Sequence, residues 1–369
     1  MPIYMDRHDV SDVVTAENVA QLHQEDLKVQ HKFNCNGLTY WFDDKRKTAF
    51  CLVEAPDKQS VINMHDHAHG VLPHLIIEVE ASIVESFLGR IEDPVMAKST
   101  NLNIINDPAF RTLMKVGLNK HSLNGYNPLV FNSVENKYSR SVAEISNNHS
   151  GRIVSQKDTD FLISFASVTN AVKCAQNIQS KINEIKSLSE FKLYNIKIGI
   201  SAGVPVTEKK IIFEDTIKLA ERMHHVAKAE IVVSSEVKDL YKSENLNQFP
   251  EEELIVTLSP TDEIFLTNLI DFIENEWKNN NLNVNDFNNH LGYSKSQLYR
   301  KMMTLIGESP NTFLMSYRLN KAVTFLNKQI ENISEIAYDS GFSTPSYFSK
   351  CFHRRYGILP SDYLRANLK

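Results

Sequence analysis

Two groups of residues have types and spacings suited to chemistry. His65, His67 and His69 fall within five positions. On a helix, His65 and His69 at i and i+4 share one face and offer two imidazoles, ligands that suit nickel or another divalent metal, while His67 points away. His8 or His23 would enlarge the pair only if the fold brought their elements near, and a helix end carrying several His also suits a plain solvated face. The second group lies near the C-terminus. It comprises Lys295, Ser296, Gln297, Tyr299, Arg300 and Lys301, then Thr344, Pro345, Ser346, Ser349 and Lys350, with Arg354 and Arg355 just beyond. Gln and Arg can pair bidentately with adenine and guanine edges, whereas Lys295, Lys301, Arg354 and Arg355 suit phosphate contacts, which position without reading sequence.

The elements that must hold the second group are visible as an internal repeat. LGYSKSQLYRKMMTLIGESPNTFL from Leu291 aligns, with one inserted residue, to SGFSTPSYFSKCFHRRYGILPSDYL from Ser340. Gly292 matches Gly341, Leu298 matches Phe348, Gly307 matches Gly357 and Pro310 matches Pro360. Each copy predicts a short helix, a glycine turn and a second helix, capped by Ser294 in the first copy and Ser343 in the second, the latter helix turning Tyr347, Phe348 and Phe352 inward. A long helix over 311–327 joins the units. Ser259, Pro260 and Asp262 open a helix through Trp277.

Residues from about 262 to 369 resemble the DNA-binding domain of the AraC/XylS family of transcriptional regulators, most specifically in GYSKSQLYRKMMTLIGESP and ISEIAYDSGFSTPSYFSKCFHRRYGILPSDY. The resemblance implies an all-α double helix-turn-helix domain over 260–369. Its two recognition helices would enter successive major-groove segments of double-stranded DNA, roughly 34 Å apart.

Between about 111 and 245, strand-like runs at 152–154, 161–165, 196–203 and 231–234 alternate with helical stretches at 167–185 and 213–225, an α+β pattern. GRIVSQKDTDFLISFASVTNAVKCAQNIQ, IKIGISAGVPV and EDTIKLAERMHHVAKAEIVVSSEV resemble the class III adenylate/guanylate cyclase domain, here degenerate, over 107–245. That chemistry needs two carboxylates to hold metal ions. By the family pattern their places are taken by Gly117 and Thr159, and the transition-state Asn by Lys218; Arg222 is retained. Asp158 and Asp160 flank the second position, and strand alternation directs them to the opposite face. No catalytic residue is assigned, and the segment reads as a dimerisation or nucleotide-sensing domain, with Arg222 in an ion pair.

Residues 2–82 read as strand, helix, strand, strand, helix, strand, which closes naturally as an α+β ferredoxin-like sandwich within a domain of residues 1–90. Thr15 with Asn18 starts the first helix, Pro56 and Asp57 precede the second, and Asp43, Asp44 and Lys45 turn the hairpin. MPIYMDRHDV, LTYWFDD, TAFCLVEAPDK and HAHG resemble a small bacterial ferredoxin-like family with nickel-binding members, which implies a metal in this domain. Tyr40 and Trp41 suit the sheet core, or else an apolar pocket for an organic effector.

Composition agrees with a multidomain protein. The chain has 369 residues, 42% hydrophobic, too many for one ordinary domain. Its net charge of -5 conceals eleven Lys and Arg against six Asp and Glu from residue 281 onward, a basic module on an acidic chain. No run suits a membrane span or a secretory signal, so the expected location is cytoplasmic, without a membrane partner. Cys35, Cys51, Cys174 and Cys351 are scattered and read as buried apolar groups rather than disulfide or thiolate-zinc partners. Residues 91–106, with Thr100, and 243–260 read as connectors. The expectation is a non-enzymatic, sequence-specific transcriptional regulator, homodimeric and controlled by a small-molecule, nucleotide or metal effector. The alternatives are a nucleotide cyclase and a metal-binding sensor.

Overall fold

Runs of consecutively buried residues, the mark of strands covered on both faces, build the first sheet. Strands β1 (Ile3–Asp9), β2 (Asn36–Asp43), β3 (Thr48–Glu54) and β4 (Leu75–Val79), with helices α1 (Ala16–Val29) and α2 (Lys58–Ala68), give the βαββαβ order and an antiparallel sheet ordered β2-β3-β1-β4. This is the ferredoxin-like closure the sequence predicts. A capping box between Thr15 and Asn18 opens α1, and Asp57 caps α2 through the Ser60 amide. Tyr40 and Trp41 are both fully buried, on opposite faces: Tyr40 joins the core beneath α1 and α2, Trp41 the core on the far side. The structure, a computed structural model, describes residues 1–94, 102–120, 128–186, 194–226, 229–250, 255–328 and 332–367. Thr100 and part of each connector, residues 95–101 and 251–254, lie outside these.

The same wrap occurs a second time. Strand β5 (Arg111–Lys120), helix α4 (Pro128–Asn148), strands β6 (Arg152–Lys157) and β7 (Asp160–Phe165), helix α5 (Val168–Lys186) and strand β8 (Tyr194–Gly203) repeat βαββαβ. Strands β9 (Ile231–Val233) and β10 (Ile255–Thr257) add in parallel, giving the order β10-β9-β8-β5-β7-β6. Helices α6 (Glu214–Arg222) and α7 (Ser235–Glu244) complete this part. Helix α3 (Ala81–Leu88) follows the first sheet, and its Val84, Phe87 and Leu88 join Met5, Trp41, Phe50, Leu52, Leu113, Leu162 and Phe213 in one buried cluster. The far face of the first sheet is therefore sealed by the second unit.

Among the described residues, seven helices follow: α8 (Pro260–Glu276), α9 (Val284–Leu291), α10 (Lys295–Leu305), α11 (Pro310–Lys328), α12 (Ile333–Asp339), α13 (Pro345–Tyr356) and α14 (Pro360–Asn367). Helices α9 and α10, and α12 and α13, are the two repeated units, joined by α11. Ser294 caps α10 as predicted, but the cap of α13 is Thr344, not Ser343, because the inserted residue lies between Gly341 and the cap. The same shift turns Tyr347 outward, 47% exposed, against the inward orientation its sequence suggests.

Helix α8 touches every neighbour. Its Phe265, Leu266, Leu269, Ile270 and Ile273 bury against Met223, Val226 and Val232 of the second unit on one side and Leu298 and Met302 of α10 on the other. Arg222 donates to Asp271 and, at 3.2 Å, to Thr267; the Glu263 carboxylate accepts from the Ser235 amide at 2.7 Å; Lys301 pairs with Asp262. At the far end, Arg318 of α11 donates to the Trp277 and Asn279 carbonyls at 2.7 and 2.6 Å.

Candidate nucleic-acid interface and metal cluster

The first turn of α10 exposes Lys295, Ser296, Gln297, Tyr299 and Arg300. Not all are free. The Gln297 carboxamide oxygen accepts from the Ser294 hydroxyl at 2.7 Å and from its amide at 3.1 Å, closing a capping box, and the Arg300 Nε donates to the Ser296 carbonyl. Lys301 is turned to α8, where Asp262 takes its ammonium and the Phe265 ring lies beneath it. On α13, Thr344, Ser346, Lys350, Arg354 and Arg355 are exposed, and Pro345 and Ser349 are half-buried. Exposed Tyr347 occupies the position of Gln297 in the other copy, so the second unit presents an aromatic hydroxyl where the first presents a carboxamide. Residue type alone hid it, since an aromatic in an apolar-rich helix suggests core.

In the N-terminal sandwich, β1 sets Asp6 and His8 on the sheet face beneath the helices, β3 adds Cys51 from the adjacent strand, α1 supplies Asp26, and the end of α2 supplies His65 and His69. All lie close together. His65 is held from both sides, Nε2 at 3.0 Å from Asp6 Oδ2 and Nδ1 at 3.0 Å from Asp26 Oδ1, and His69 Nε2 is 3.2 Å from Asp26 Oδ1. His8 Nε2 is 3.3 Å from Asp6 Oδ1, yet it is buried and makes no hydrogen bond. Burial alone would pull the His65 imidazole down, but its bonds to Asp26 and Asp6 push it up to about 10. Burial likewise opposes ionisation of Asp6 and Asp26, and their histidine partners hold both below the ordinary range. The Cys51 thiol is pushed well up, first by burial and then by Asp6 and Asp26.

His65 and His69 thus come together as the spacing suggests, and His8 joins them. His67 does point away, 3.1 Å from Lys32. His23 is buried against Tyr40 instead, its imidazole held down by burial. Asp6, Asp26 and Cys51 were missed because each looks unremarkable within its own element.

In the second unit, the strand-alternation argument fails for Asp160. The hairpin turns on residues 158 and 159, which leaves Asp160 as the first residue of β7. Its carboxylate lies 2.6 Å from where a Cβ on Gly117 would stand, with His224 at 3.1 Å. Asp160 therefore fills the space of the absent side chain, facing Lys115 at 3.9 Å, and burial followed by Glu221 and Asp158 raises its pKa against the Lys115 cation. Lys218 is paired with Glu214 at 2.6 Å, and Arg222 is committed to Asp271, the ion pair the sequence suggests.

Residues 288–366 match the family described as "Helix-turn-helix domain", and residues 4–79 the family described as "Nickel responsive protein SCO4226-like". Over 108 residues the chain is 35% identical to Histidine kinase P4 of Formosa agariphila, covering 29% of this chain and 8% of that protein. Over 95 residues it is 32% identical to the HTH-type transcriptional regulator MtrA of Neisseria gonorrhoeae, covering 26% of this chain and 30% of that one. Among solved structures, SCO4226 from Streptomyces coelicolor is 32% identical with a TM-score of 0.20, covering 21% of this chain and 94% of that chain. An adenylate/guanylate cyclase/hydrolase from Silicibacter pomeroyi is 19% identical with a TM-score of 0.32, covering 38% and 82%. The chain thus spans less than a third of the length of these curated relatives. It carries an AraC-type helix-turn-helix domain at its C-terminal end and an SCO4226-like domain at its N-terminal end. Among the described residues, no helix is long and apolar enough to cross a membrane.

Proposed function

We propose that the protein is a sequence-specific, DNA-binding transcriptional regulator and not an enzyme. Residues 260–369 bind double-stranded DNA, and residues 1–90 and 107–245 sense an effector or pair two chains. The observation that carries this reading is the duplicated helix-turn-helix, whose second helices expose polar first turns, with Lys295 on α10 and Lys350, Arg354 and Arg355 further along α13, over a packed core. In this reading Ser296, Tyr299 and Arg300 on α10, and Thr344, Pro345, Ser346, Ser349 and the added Tyr347 on α13, face base edges. Lys295, Lys350, Arg354 and Arg355 meet phosphates. Gln297 reads a base only if it leaves its cap, and Lys301 orients α10 from behind. The non-enzymatic reading is supported by Arg222 being held by α8 and by Gly117 and Thr159 standing at the two carboxylate positions of the cyclase pattern, with Asp160 entering the space beside Gly117.

The test is binding of full-length protein to selected duplexes. Arg300→Ala should relax base preference within one half of the site, whereas Arg354→Ala should weaken all sequences alike and reduce the salt slope by about one. Unchanged preference in Arg300→Ala would reject the assignment of α10.

A second reading concerns the SCO4226-like domain, for which a divalent metal such as nickel is the effector. His8 Nε2, buried without a hydrogen bond beside Asp6 and His65, is the observation in its favour. A bound ion would supply the charge that this acidic pocket accommodates, and His65 would hold it. Metal analysis of the purified full-length protein, with His65→Ala as the comparison, tests it.

A further inference from the structure

We infer that the cleft between the β2–β3 turn and the second unit is a binding site for a small, flat organic monocarboxylate. This rests on the reading that these two units sense an effector, and deepens it by naming the place and the ligand class. The cleft has a volume of about 650 Å³, within the range of roughly 300–1,000 Å³ typical of small-molecule sites. Its walls come from segments distant in sequence: Lys45 and Arg46 of the β2–β3 turn, Phe110 ahead of β5, Val168 of α5 and Leu240 of α7. A ligand seated there touches both units at once.

The polar groups still without partners decide the chemistry. Asp43 accepts from the Lys45 and Arg46 amides, both at 3.0 Å, and from Arg46 Nη1 at 3.0 Å. Asp44 pairs with Lys47 at 2.7 Å, and the exposed Glu244 takes the Thr169 hydroxyl at 2.8 Å. The carboxylates of the cleft are therefore engaged, while donors remain. Among the described residues, the Lys45 ammonium has no ion-pair partner. The hydroxyl of Thr112, a residue 2% exposed in the cleft wall, has no hydrogen-bond partner there either. A buried hydroxyl left without a partner is costly, and an acceptor oxygen on a ligand removes that cost. One unpaired cation matches one negative charge, which selects a carboxylate over a dianionic phosphate ester.

Shape adds the flat body. The Arg46 guanidinium lies 3.4 Å over the Phe110 ring, a planar pair in the cleft wall, and Val168 and Leu240 add apolar surface. A planar ring extends that stack while its carboxylate meets Lys45 and Thr112. The cleft also has a route to the recognition helix. Helix α7, whose last turn lines it, begins at Ser235, and the Ser235 amide and hydroxyl donate to Glu263 of α8 at 2.7 and 3.0 Å. Helix α8 in turn holds α10 through Asp262 and Lys301. A ligand that shifts α7 thereby resets α10, and by linkage DNA changes the ligand's affinity by the same factor.

The test is calorimetric titration of the full-length protein with benzoate, cinnamate and naphthoate. At least one should bind saturably, one molecule per chain. Lys45→Met should weaken it about 10-fold or more, and Thr112→Val about 5-fold. Lys47→Met should leave affinity unchanged, because that ammonium is paired with Asp44. Circular dichroism of each variant separates misfolding from loss of the ligand's partners. The neutral alcohol of the bound acid should bind at least about 10-fold more weakly, and phenyl phosphate more weakly than benzoate. No saturable binding of any of the three acids, or affinity unaltered in Lys45→Met, overturns the cleft assignment and leaves the sensing reading standing. An alcohol that binds as tightly as its acid, or phenyl phosphate that binds more tightly than benzoate, overturns the carboxylate. Duplex affinity with and without the bound acid tests the sensing reading apart from the site. A change that Glu263→Ala abolishes supports that reading, and an acid held in this cleft with no effect on duplex affinity overturns it.

Discussion

Gly292 and Gly341 end the first helix of each repeated unit with nearly the same backbone, φ +72° and +77°, so an alanine at either adopts an unfavourable left-handed conformation. That penalty is roughly 1–2 kcal/mol and is shared. The surroundings differ. A Cβ on Gly292 meets nothing within 4 Å, whereas one on Gly341 would stand 2.6 Å from the Trp277 carbonyl oxygen and 2.9 Å from Arg318 Nε. These two atoms form the 2.7 Å bond that ties α11 to the end of α8, so the added methyl must part them. Loss of a buried hydrogen bond to a charged donor adds about 2 kcal/mol. Gly292→Ala should therefore cost roughly 1–2 kcal/mol and Gly341→Ala roughly 3–4. Amide hydrogen exchange across α11 and α12 in the full-length protein reads the difference as about 30-fold faster exchange in Gly341→Ala than in Gly292→Ala. Equal acceleration would refute the argument that the end of α8 is clamped to α11 through this contact.

Three further outcomes follow from named contacts. Lys301→Ala should cost about 0.5–1 kcal/mol, since its pair with Asp262 is about a quarter exposed, and should leave the salt slope of DNA binding unchanged, while Lys295→Ala lowers that slope by about one. Arg222→Ala and Asp271→Ala should show a coupling of about 1 kcal/mol in a double-mutant cycle on thermal unfolding, and additive losses would deny the pair. Burial holds the His224 and His225 imidazoles at about 3 and about 4, whereas the unfolded chain protonates them near 6.5. The unfolded state thus binds the extra protons. Stability present above pH about 6.5 should fall as pH drops towards those folded values, by about 2 kcal/mol per histidine at pH 5. His225→Leu should flatten that decline, as followed by Tm between pH 7 and 5.

The C-terminal units were legible because glycine stops, caps and apolar stripes repeat within each copy; the cap shifted by the inserted residue and Tyr347 beside it were misplaced, and Lys301, which its sequence suggests for phosphate, is turned to Asp262 of α8. Helix α4 was not read, although Val134, Tyr138 and Val142 recur every fourth residue and are buried, because polar residues fill the positions between them. Asp6 and Cys51 look like strand residues until β1 pairs with β3, and Asp26 like a surface acid until α1 packs beside α2. Such sites are set by pairing between distant segments, which local spacing does not encode. Asp160 shows the same limit: alternation holds along a strand, but a two-residue turn resets which residue begins it.

The most direct measurement is selection of bound duplexes from a random pool by the full-length protein, followed by footprinting of the enriched sequence. Two protected major-groove segments about one helical turn apart on one face of the duplex are expected, with base preference in the α10 half lost in Arg300→Ala. A pool that emerges without enrichment, or with uniform protection independent of sequence, would contradict the account.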